Sequence, residues 1–236
     1  MTVGEAEGRR VLAGLGLPVV AGYAYASVEA ARASQDDWSY PAVVKLDAAG
    51  VAHKAALGLV AVGCATRDEV IKALDGMAAR LSDPSLPSAP GAAALAPPRV
   101  AAVLVEAMAA GAEVLVGLHR GQLGSFLTIG AGGVQAGAGT VARTMLLPAG
   151  ADEIASACAA AAGRAVVSPR GSAAGQGIAF ATKAILTLCA EFESGQLSGY
   201  DAVELNPVFV SGADAVIADV LLVRSAGHHP ATADQA

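Results

Sequence analysis

The sequence predicts an α+β chain made of two α/β lobes. Helix and strand patterns are interspersed along the chain, and antiparallel hairpin signals fall in its second half. A stretch dense in Pro, Ala and Ser, residues 82–99, is typical of a connector rather than of a regular element. We therefore predict a first lobe over residues 1–99 that includes the connector, a second lobe over 100–224, and a disordered tail over 225–236.

The first lobe combines amphipathic helices with short apolar strands. Ser27 and Thr66 each stand directly before a helical segment, as N-cap residues do, and Gly16 follows the first helix. Apolar spacing predicts helices over Glu5–Leu15, from Val28, and from Arg67 to about Leu81, and strands over Pro18–Ala26, Pro41–Leu46 and Leu59–Cys64.

The second lobe has more strands than the first. Its predicted strands are Val100–Val105, Glu113–Leu118, Ser125–Ile129 and Ala142–Leu147, and its predicted helices are Ala151–Ala162 and Ala174–Glu191. A glycine-rich loop, residues 130–139, separates two of these strands. It could bring backbone N–H groups close to phosphate oxygens, or it could simply contain residues that need positive φ.

A hairpin near the C-terminus gathers oxygen-bearing side chains. The runs AVELNPVFV and AVIADVLLV flank the turn SGAD, which pairs Val210 with Ala215 and sets Asn206 opposite Asp219. Glu204 lies two residues before Asn206 and shares its face. An all-oxygen set suits Mg²⁺ better than zinc. A polar edge on a solvated hairpin is the other interpretation, and spacing alone leaves both open.

Composition excludes several classes of function. The net charge of −6, without a basic cluster, argues against a nucleic-acid binder, and no window approaches the roughly 20 apolar residues of a membrane span. The three widely spaced cysteines predict neither disulfides nor a zinc site. Arg9-Arg10 before an apolar run resembles an export signal, but Glu5 and Glu7 lie in its basic region. We favour mature structure and a cytoplasmic protein.

Two lysines and two glutamates are candidates for ligand binding. Lys45 lies in an otherwise apolar strand, so it should either extend to water or meet an anion. Lys54 follows on a loop beside His53, although an exposed loop histidine explains His53 equally well. Glu106 and Glu113 bracket a bend of small residues that could face a flat ring and a ribose, or could be a solvated hinge.

Taken in order, these features resemble a known family. The chain is similar, from about Glu5 to Val223, to the ATP-grasp domain of acyl-CoA synthetases that form a nucleoside diphosphate, the relatives of the succinyl-CoA synthetase β subunit. The motifs that carry the resemblance are Tyr40-Pro-Ala-Val-Val-Lys45, His53-Lys54, Val103-Leu-Val-Glu106, Gly130-x-Gly132-Gly133 and Glu204-Leu-Asn206-Pro207 with Asp219.

The resemblance implies an ATP-grasp fold with Mg²⁺ and ATP bound between two lobes. The implied nucleotide-binding residues are Lys45, Gly58, Glu106, Glu113, Gly132 and Gly133. Lys54 is implied as a catalytic residue that assists Lys45 from the loop. The implied metal-binding residues are Asn206 and Asp219, with Glu204 beside them. Arg143 is implied near the phosphates, and His53 is implied to relay the phosphoryl group.

The resemblance also implies partners. A small carboxylic acid would be ligated to CoA with a CoA-binding α-type subunit, and an oligomer is expected. The chain departs from the family at Ala55, Ala56 and Leu59 in the histidine loop, and it lacks the glutamate that follows Gly132-Gly133 in the family. These departures leave two alternatives: a free-standing ATP-grasp ligase joining a carboxylate to an amine or thiol, or a catalytically impaired nucleotide-binding module.

Overall fold

A computed structural model describes residues 1–48, 54–82, 100–133, 142–163 and 174–226. The chain divides into two compact units. The N-terminal unit comprises Gly4–Val11 and Val19–Ala109, and the C-terminal unit comprises Met1–Val3, Leu12–Pro18 and Ala110–Ala236. Most of the predicted connector and tail, at 83–99 and 227–236, lies outside the described residues.

Helices and strands alternate irregularly along the described chain. The helices are α1 (Glu5–Gly14), α2 (Val28–Ala33), α3 (Arg67–Leu81), α4 (Ala151–Ala162) and α5 (Ala174–Ser194). The strands of the first half are β1 (Thr2–Val3), β2 (Gly22–Tyr25), β3 (Ala42–Ala48), β4 (Val60–Cys64) and β5 (Val100–Ala107). Those of the second half are β6 (Ala112–Gly121), β7 (Gly124–Ala131), β8 (Arg143–Leu146), β9 (Tyr200–Val210), β10 (Ala215–Ile217) and β11 (Val220–Arg224).

The N-terminal unit is built on a four-stranded antiparallel sheet in the order β2-β5-β3-β4. Alternate residues of β3, such as Val44 and Leu46, are buried in a core with apolar residues of α2 and α3, including Leu74. Both helices begin at the predicted caps: Ser27 Oγ accepts a hydrogen bond from the Ala30 N–H, and Thr66 Oγ1 accepts one from the Glu69 N–H.

The C-terminal unit contains a seven-stranded antiparallel sheet. Its path is β1-β11-β9-β6-β7-β8, and β10 also pairs with β9. Helices α4 and α5 pack against this sheet. Leu118 and Leu127 from neighbouring strands and Ile154 and Leu188 from the helices are at most 1% exposed, so they form the apolar layer between sheet and helices.

The structure confirms the α+β class and corrects one boundary. The predicted second lobe began at residue 100, but β5 lies in the sheet of the N-terminal unit, between β2 and β3. Its interior position explains why Val103, Leu104 and Val105 form an unbroken buried run. Strand β1 was not predicted, because two residues carry too little pattern. No helix in the described ranges is long and apolar enough to cross a membrane.

Candidate functional site

The predicted site residues fall into two groups, one in each unit. The charged cluster belongs to the N-terminal unit and consists of Glu5, Arg9, Lys45, Asp47, Lys54 and Glu106. The Asn206 corner belongs to the C-terminal unit and consists of Glu113, Gly132, Gly133, Asn206 and Asp219.

Strand alternation places Lys45 and Asp47 on the same face of the first sheet. Val44 and Leu46 point into the core with α2 and α3, so Lys45 and Asp47 point away from it. Both side chains are nevertheless buried, with residue exposures of 6% and 7%. A buried ammonium group needs anionic partners, and the structure provides them within the protein.

Glu5 is the main partner of both lysines. It is the first residue of α1, and its Oε1 accepts a hydrogen bond from Lys45 Nζ at 2.6 Å. Its Oε2 accepts one from Lys54 Nζ. The backbone N–H of Glu5 donates to Asp47 Oδ2 at 2.8 Å, which places a carboxylate at the N-terminus of the helix. A Cβ on Gly4 would lie 2.9 Å from that oxygen, so the close approach needs glycine.

Lys54 is held by a turn that joins it to β3. Its carbonyl accepts hydrogen bonds from the N–H groups of Leu57 (3.2 Å) and Leu59 (2.9 Å), and the Leu59 carbonyl accepts from Leu46 in β3. Gly58 in the same turn has φ +68°, and a Cβ there would lie 3.0 Å from the Arg80 side chain. The space beside Gly58 is therefore occupied by arginine in this structure.

Glu106 ends the buried run of β5 and lies opposite Val43 in β3. One of its oxygens lies 3.2 Å from Lys45 Nζ, and the other forms an ion pair with Arg9 of α1. Burial raises the pKa of Glu106, and the charges of Lys45 and Arg9 oppose that rise. The sequence suggested a carboxylate that faces a nucleotide, whereas in this structure the side chain is 3% exposed and bound to two cations.

The formal charges of the charged cluster balance. Burial alone would raise the pKa of Glu5, but the nearby charges and hydrogen bonds of Lys45 and Lys54 outweigh it and leave that pKa lowered. Glu5 is therefore a carboxylate at neutral pH that pairs with both lysines, and the cluster balances because its three carboxylates, Glu5, Asp47 and Glu106, face three cations, Arg9, Lys45 and Lys54.

The Asn206 corner joins the start of the glycine-rich loop to the C-terminal hairpin. Gly133 has φ +59°, and its N–H donates to Asn206 Oδ1 at 2.8 Å. The Gly132 N–H donates to the Glu113 carbonyl at 2.8 Å. A Cβ on Gly133 would lie 1.4 Å from Glu113 Oε2, so this glycine is required by both its conformation and its surroundings.

The hairpin register agrees with the sequence-based prediction. Ala215 pairs with Val210, and on the far side of the site Val220 pairs with Leu205, which sets Asn206 opposite Asp219. The Asn206 N–H donates to the Asp219 carbonyl at 3.3 Å. Directly opposed residues of an antiparallel pair share a face, so the pairs on either side of Asn206 and Asp219 predict that these two side chains lie on the same side of the ribbon.

Asn206 and Asp219 offer two oxygen ligands of the kind that Mg²⁺ prefers. Glu204, two residues before Asn206, is exposed. Nowhere in the described ranges do three His, Cys, Asp or Glu side chains lie close enough together to hold a metal. Two protein oxygens still fit Mg²⁺, which is commonly held by one or two carboxylates plus phosphate oxygens and water. An amide oxygen has two lone pairs, so Asn206 can keep its bond to Gly133.

Arg143 does not join either group. On β8 it lies opposite Ile129, whose buried side chain faces the helices, whereas its neighbour Thr144 bonds Thr128 on the other face. Glu204 pairs with Gly117, and Gly117 pairs with Thr128, so these three residues share one face of the sheet. Arg143 lies on the other face. The register separates Arg143 from the face that carries Glu204, and its implied position near the phosphates stays a prediction. His53 and residues 134–141 lie outside the described part of the chain.

Sequence reasoning missed the anionic partners of the lysines. Glu5 was assigned only to the first turn of a helix, and Asp47 and Arg9 were not considered for a site. The signal was present, because a lysine in an apolar strand demands a nearby anion. The identity of that anion depends on how α1 packs on the sheet, which local pattern does not give.

The chain belongs to the ATP-grasp domain family, whose profile matches residues 1–223. Its fold is similar to that of a dinucleotide-forming acetyl-coenzyme A synthetase of Ca. Korarchaeum cryptofilum solved with coenzyme A and Ca-AMPCP (20% identity, 95% of this chain, 93% of that chain, TM-score 0.74). The same enzyme with coenzyme A and Mg-AMPPCP matches over the same shares at 19% identity and TM-score 0.68.

A protein of Pyrococcus horikoshii, PH1788, is similar at 21% identity over 95% of this chain and 92% of that chain, with TM-score 0.76. At these identities the likeness establishes the ATP-grasp fold that the sequence predicted. No curated protein sequence matches the chain significantly.

Proposed function

We propose that this chain is the ATP-grasp part of an acyl-CoA synthetase that forms a nucleoside diphosphate. It would bind Mg²⁺ and ATP and direct the γ-phosphoryl group toward ligation of a small carboxylic acid to CoA. The observation that carries the proposal is the Asn206 corner, where the Gly133 N–H donates to the Asn206 amide oxygen and Asp219 lies opposite Asn206 in the hairpin, in a member of the ATP-grasp family. The Korarchaeum complexes with coenzyme A and nucleotide analogues support it.

Asn206 and Asp219 would hold the metal, with Glu204 further along the same face. The bound Mg-ATP supplies the phosphoryl group, and its metal neutralises charge on the phosphate oxygens. Gly133 fixes Asn206 through its N–H, so the amide oxygen is oriented before any ligand binds. Such orientation lowers the ordering cost of binding.

Lys45 and Lys54 are the proposed phosphate contacts of the N-terminal unit, and Gly132 and Gly133 are the proposed nucleotide-binding glycines of the C-terminal unit. Glu106 and Glu113 are the proposed base and ribose contacts, and Gly58 the turn residue that keeps Lys54 in place. His53 is proposed to carry the phosphoryl group in transit. Arg143 is proposed near the phosphates on the family resemblance alone.

The remaining functions need a partner. We propose a CoA-binding α-type subunit, a cytoplasmic location and an oligomeric enzyme, because the family that the chain resembles carries its CoA-binding segment on a second subunit or a fused domain. The test is to purify the chain with interacting proteins and to measure ADP formation from ATP, CoA and a panel of short carboxylic acids. ADP formation that needs both CoA and the partner supports the proposal, and its absence across the panel opposes it.

Nucleotide binding is tested separately by calorimetry. Wild-type protein should bind ATP with Mg²⁺ and lose about tenfold or more in affinity, ~1.4 kcal/mol, when Mg²⁺ is chelated. Asp219→Asn should show the weak, Mg²⁺-independent affinity even with the metal present. Asp152→Asn makes the same chemical change at an exposed position in α4 and should behave like wild type. Equal affinities for the Asp219 variant and wild type would remove the metal assignment.

A second candidate is a nucleotide-binding module without turnover. Alanines stand at Ala55 and Ala56, where the family has serine and aspartate, and they favour this alternative. Mg-ATP binding without ADP formation under all partner, acid and CoA conditions would select it. Phosphate release with acids and amines in the absence of CoA would instead select a free-standing ligase.

A further inference from the structure

Glu5 uses both of its carboxylate oxygens on the two lysines proposed to bind phosphate. Oε1 contacts Lys45 at 2.6 Å, and Oε2 contacts Lys54. The carboxylate side chain is 1% exposed, while those of Lys45 and Lys54 are 8% and 15% exposed. A carboxylate bound in this way occupies the ammonium groups with the same kind of anionic oxygen that a phosphate would offer.

The position of Glu5 is fixed by the backbone as well as by charge. Its N–H is bound by Asp47 Oδ2, and the Gly8 N–H donates to the Gly4 carbonyl one turn away. Asp47 also lies 3.7 Å from Lys54, so the helix start and the lysine turn share one carboxylate. Moving Glu5 away from the lysines therefore affects the start of α1.

We propose that Glu5 is an internal competitor for the phosphate groups of the nucleotide, which sets how tightly Lys45 and Lys54 bind an anion. The inference rests on the proposed nucleotide-binding function. With Glu5 in place the charged cluster is formally neutral, and its attraction for a polyanion is small. When Glu5 is neutral, Lys45 keeps Glu106 and Lys54 keeps Asp47, but the charged cluster gains one net positive charge, and anion binding becomes stronger.

Competition with phosphate and a purely structural role of Glu5 predict different changes in nucleotide affinity when the charge of Glu5 is removed. If Glu5 only stabilised the fold, removing its charge would lower stability and either weaken nucleotide binding or leave it unchanged. If Glu5 competes with phosphate, the same change lowers stability and tightens nucleotide binding. The two measurements together separate these cases, because a damaged fold does not bind its ligand more tightly.

The first experiment measures Mg-ATP affinity by calorimetry for wild type, Glu5→Gln and Glu29→Gln. Glutamine keeps the shape of Glu5 and removes its charge, and its single amide oxygen can accept from only one of the two lysines because its Nε2 is a donor. Glu29 lies in the first turn of α2 and is fully exposed, so its variant is a charge-matched control. We expect Glu5→Gln to bind about tenfold more tightly, ~1.4 kcal/mol, and Glu29→Gln to match wild type.

Glu5→Asp serves if the glutamine variant does not fold. The shorter carboxylate keeps the charge but cannot reach both lysines in the observed geometry, so it should release one of them. Tighter binding than wild type is expected for this variant also, by less than for Glu5→Gln. Affinity equal to or weaker than wild type in a folded Glu5 variant overturns the proposal.

The second experiment follows the lysines without any nucleotide. The chain has only four lysines, and Lys72 and Lys183 are exposed on helices. Nuclear magnetic resonance of ¹⁵N-labelled lysine side chains should therefore give four assignable ammonium signals. In Glu5→Gln the signals of Lys45 and Lys54 should shift and exchange faster with water, while those of Lys72 and Lys183 stay unchanged.

The outcomes distinguish this inference from the proposed function. If wild type binds Mg-ATP and the Glu5 variants bind it no more tightly, the inference about Glu5 is overturned and the proposed function stands. Binding by the Glu5 variants but not by wild type supports it strongly. Absence of binding by every protein, with the expected lysine shifts present, overturns the nucleotide assignment and with it the competition, while the ion pairs stand.

Discussion

Replacing Lys45 with methionine should destabilise the N-terminal unit by about 3 kcal/mol. Removing one partner from a buried ion pair typically costs ~3–5 kcal/mol, because the other charge is left without compensation. Here both carboxylates keep a second cation: Glu5 keeps Lys54, and Glu106 keeps Arg9. We therefore expect the lower end of that range.

The single tryptophan makes the measurement specific to one unit. Trp38 is 3% exposed within the core of the N-terminal unit and packs against Tyr25 and Arg67. Its fluorescence during urea unfolding should report that unit. Lys72→Met removes the same charge from an exposed position on α3, and we expect it to change the free energy of unfolding by no more than ~0.5 kcal/mol.

The difference between wild type and Lys45→Met should shrink as the pH falls. The pKa of Glu5 is lowered in the folded protein, so its ion pair stabilises above the ordinary value of 4.5 and this stability is lost as the pH falls through the folded pKa. The pKa of Glu106 is raised, so ionised Glu106 destabilises the fold, and protonation relieves this as the pH falls. At neutral pH, removing Lys45 makes the ion pair of Glu5 less stabilising and makes ionised Glu106 more destabilising.

The result that refutes this reasoning is a loss below ~1 kcal/mol at neutral pH, the scale of an exposed ion pair. A loss of several kcal/mol that stays constant as the pH falls below 4.5 and through the lowered pKa of Glu5 would also contradict it. In that case packing of the lysine stem, rather than its charge, would carry the effect.

Three further predictions concern the C-terminal unit. Gly133→Ala should lower the free energy of unfolding, followed by thermal denaturation, by about 2 kcal/mol, since positive φ alone costs ~1–2 kcal/mol. Adding Glu113→Ala to that variant should recover only the part due to the clash between the new Cβ and the Glu113 carboxylate. Asn206→Leu should cost ~1 kcal/mol by removing the acceptor for Gly133 and should abolish Mg²⁺-dependent ATP binding; unchanged calorimetry would contradict this. Burial raises the pKa of both Cys158 and Cys189 to about 12, so neither should react with a thiol reagent at neutral pH until the protein is unfolded.

Local chemistry explains what the sequence predicted well. Ser27 and Thr66 cap helices because their hydroxyls accept from backbone N–H groups three residues later, within the same segment. The turn SGAD fixes the register of the final hairpin, so Asn206 could be set opposite Asp219 by counting. Each of these inferences needs only residues close in sequence or joined by a short turn.

What could not be derived from the sequence required knowledge of strand order. Arg143 had the right charge for phosphate binding, but its face depends on pairing with Ile129, fourteen residues earlier, across the glycine-rich loop. A shift of one residue in that pairing would turn Arg143 to the opposite face. Likewise, β5 could be assigned to the first sheet only by knowing that it inserts between β2 and β3.

The charged cluster needs an explanation beyond stability. Buried ion pairs are often no more stabilising than apolar residues of similar volume, because removing charges from water costs several kcal/mol per ion. Only 15% of the residues in the chain are charged, and yet two of its four lysines are in the charged cluster. Lys45 and Asp47 of this cluster are buried on one face of β3. Leu104, in register with Lys45, shows that this face also accommodates apolar side chains. A cluster retained only for stability should therefore tolerate joint replacement of Lys45 and Glu5 by leucine or methionine, with full recovery of unfolding free energy. If the lysines are kept for anion binding, the same double variant should recover stability and lose Mg-ATP binding.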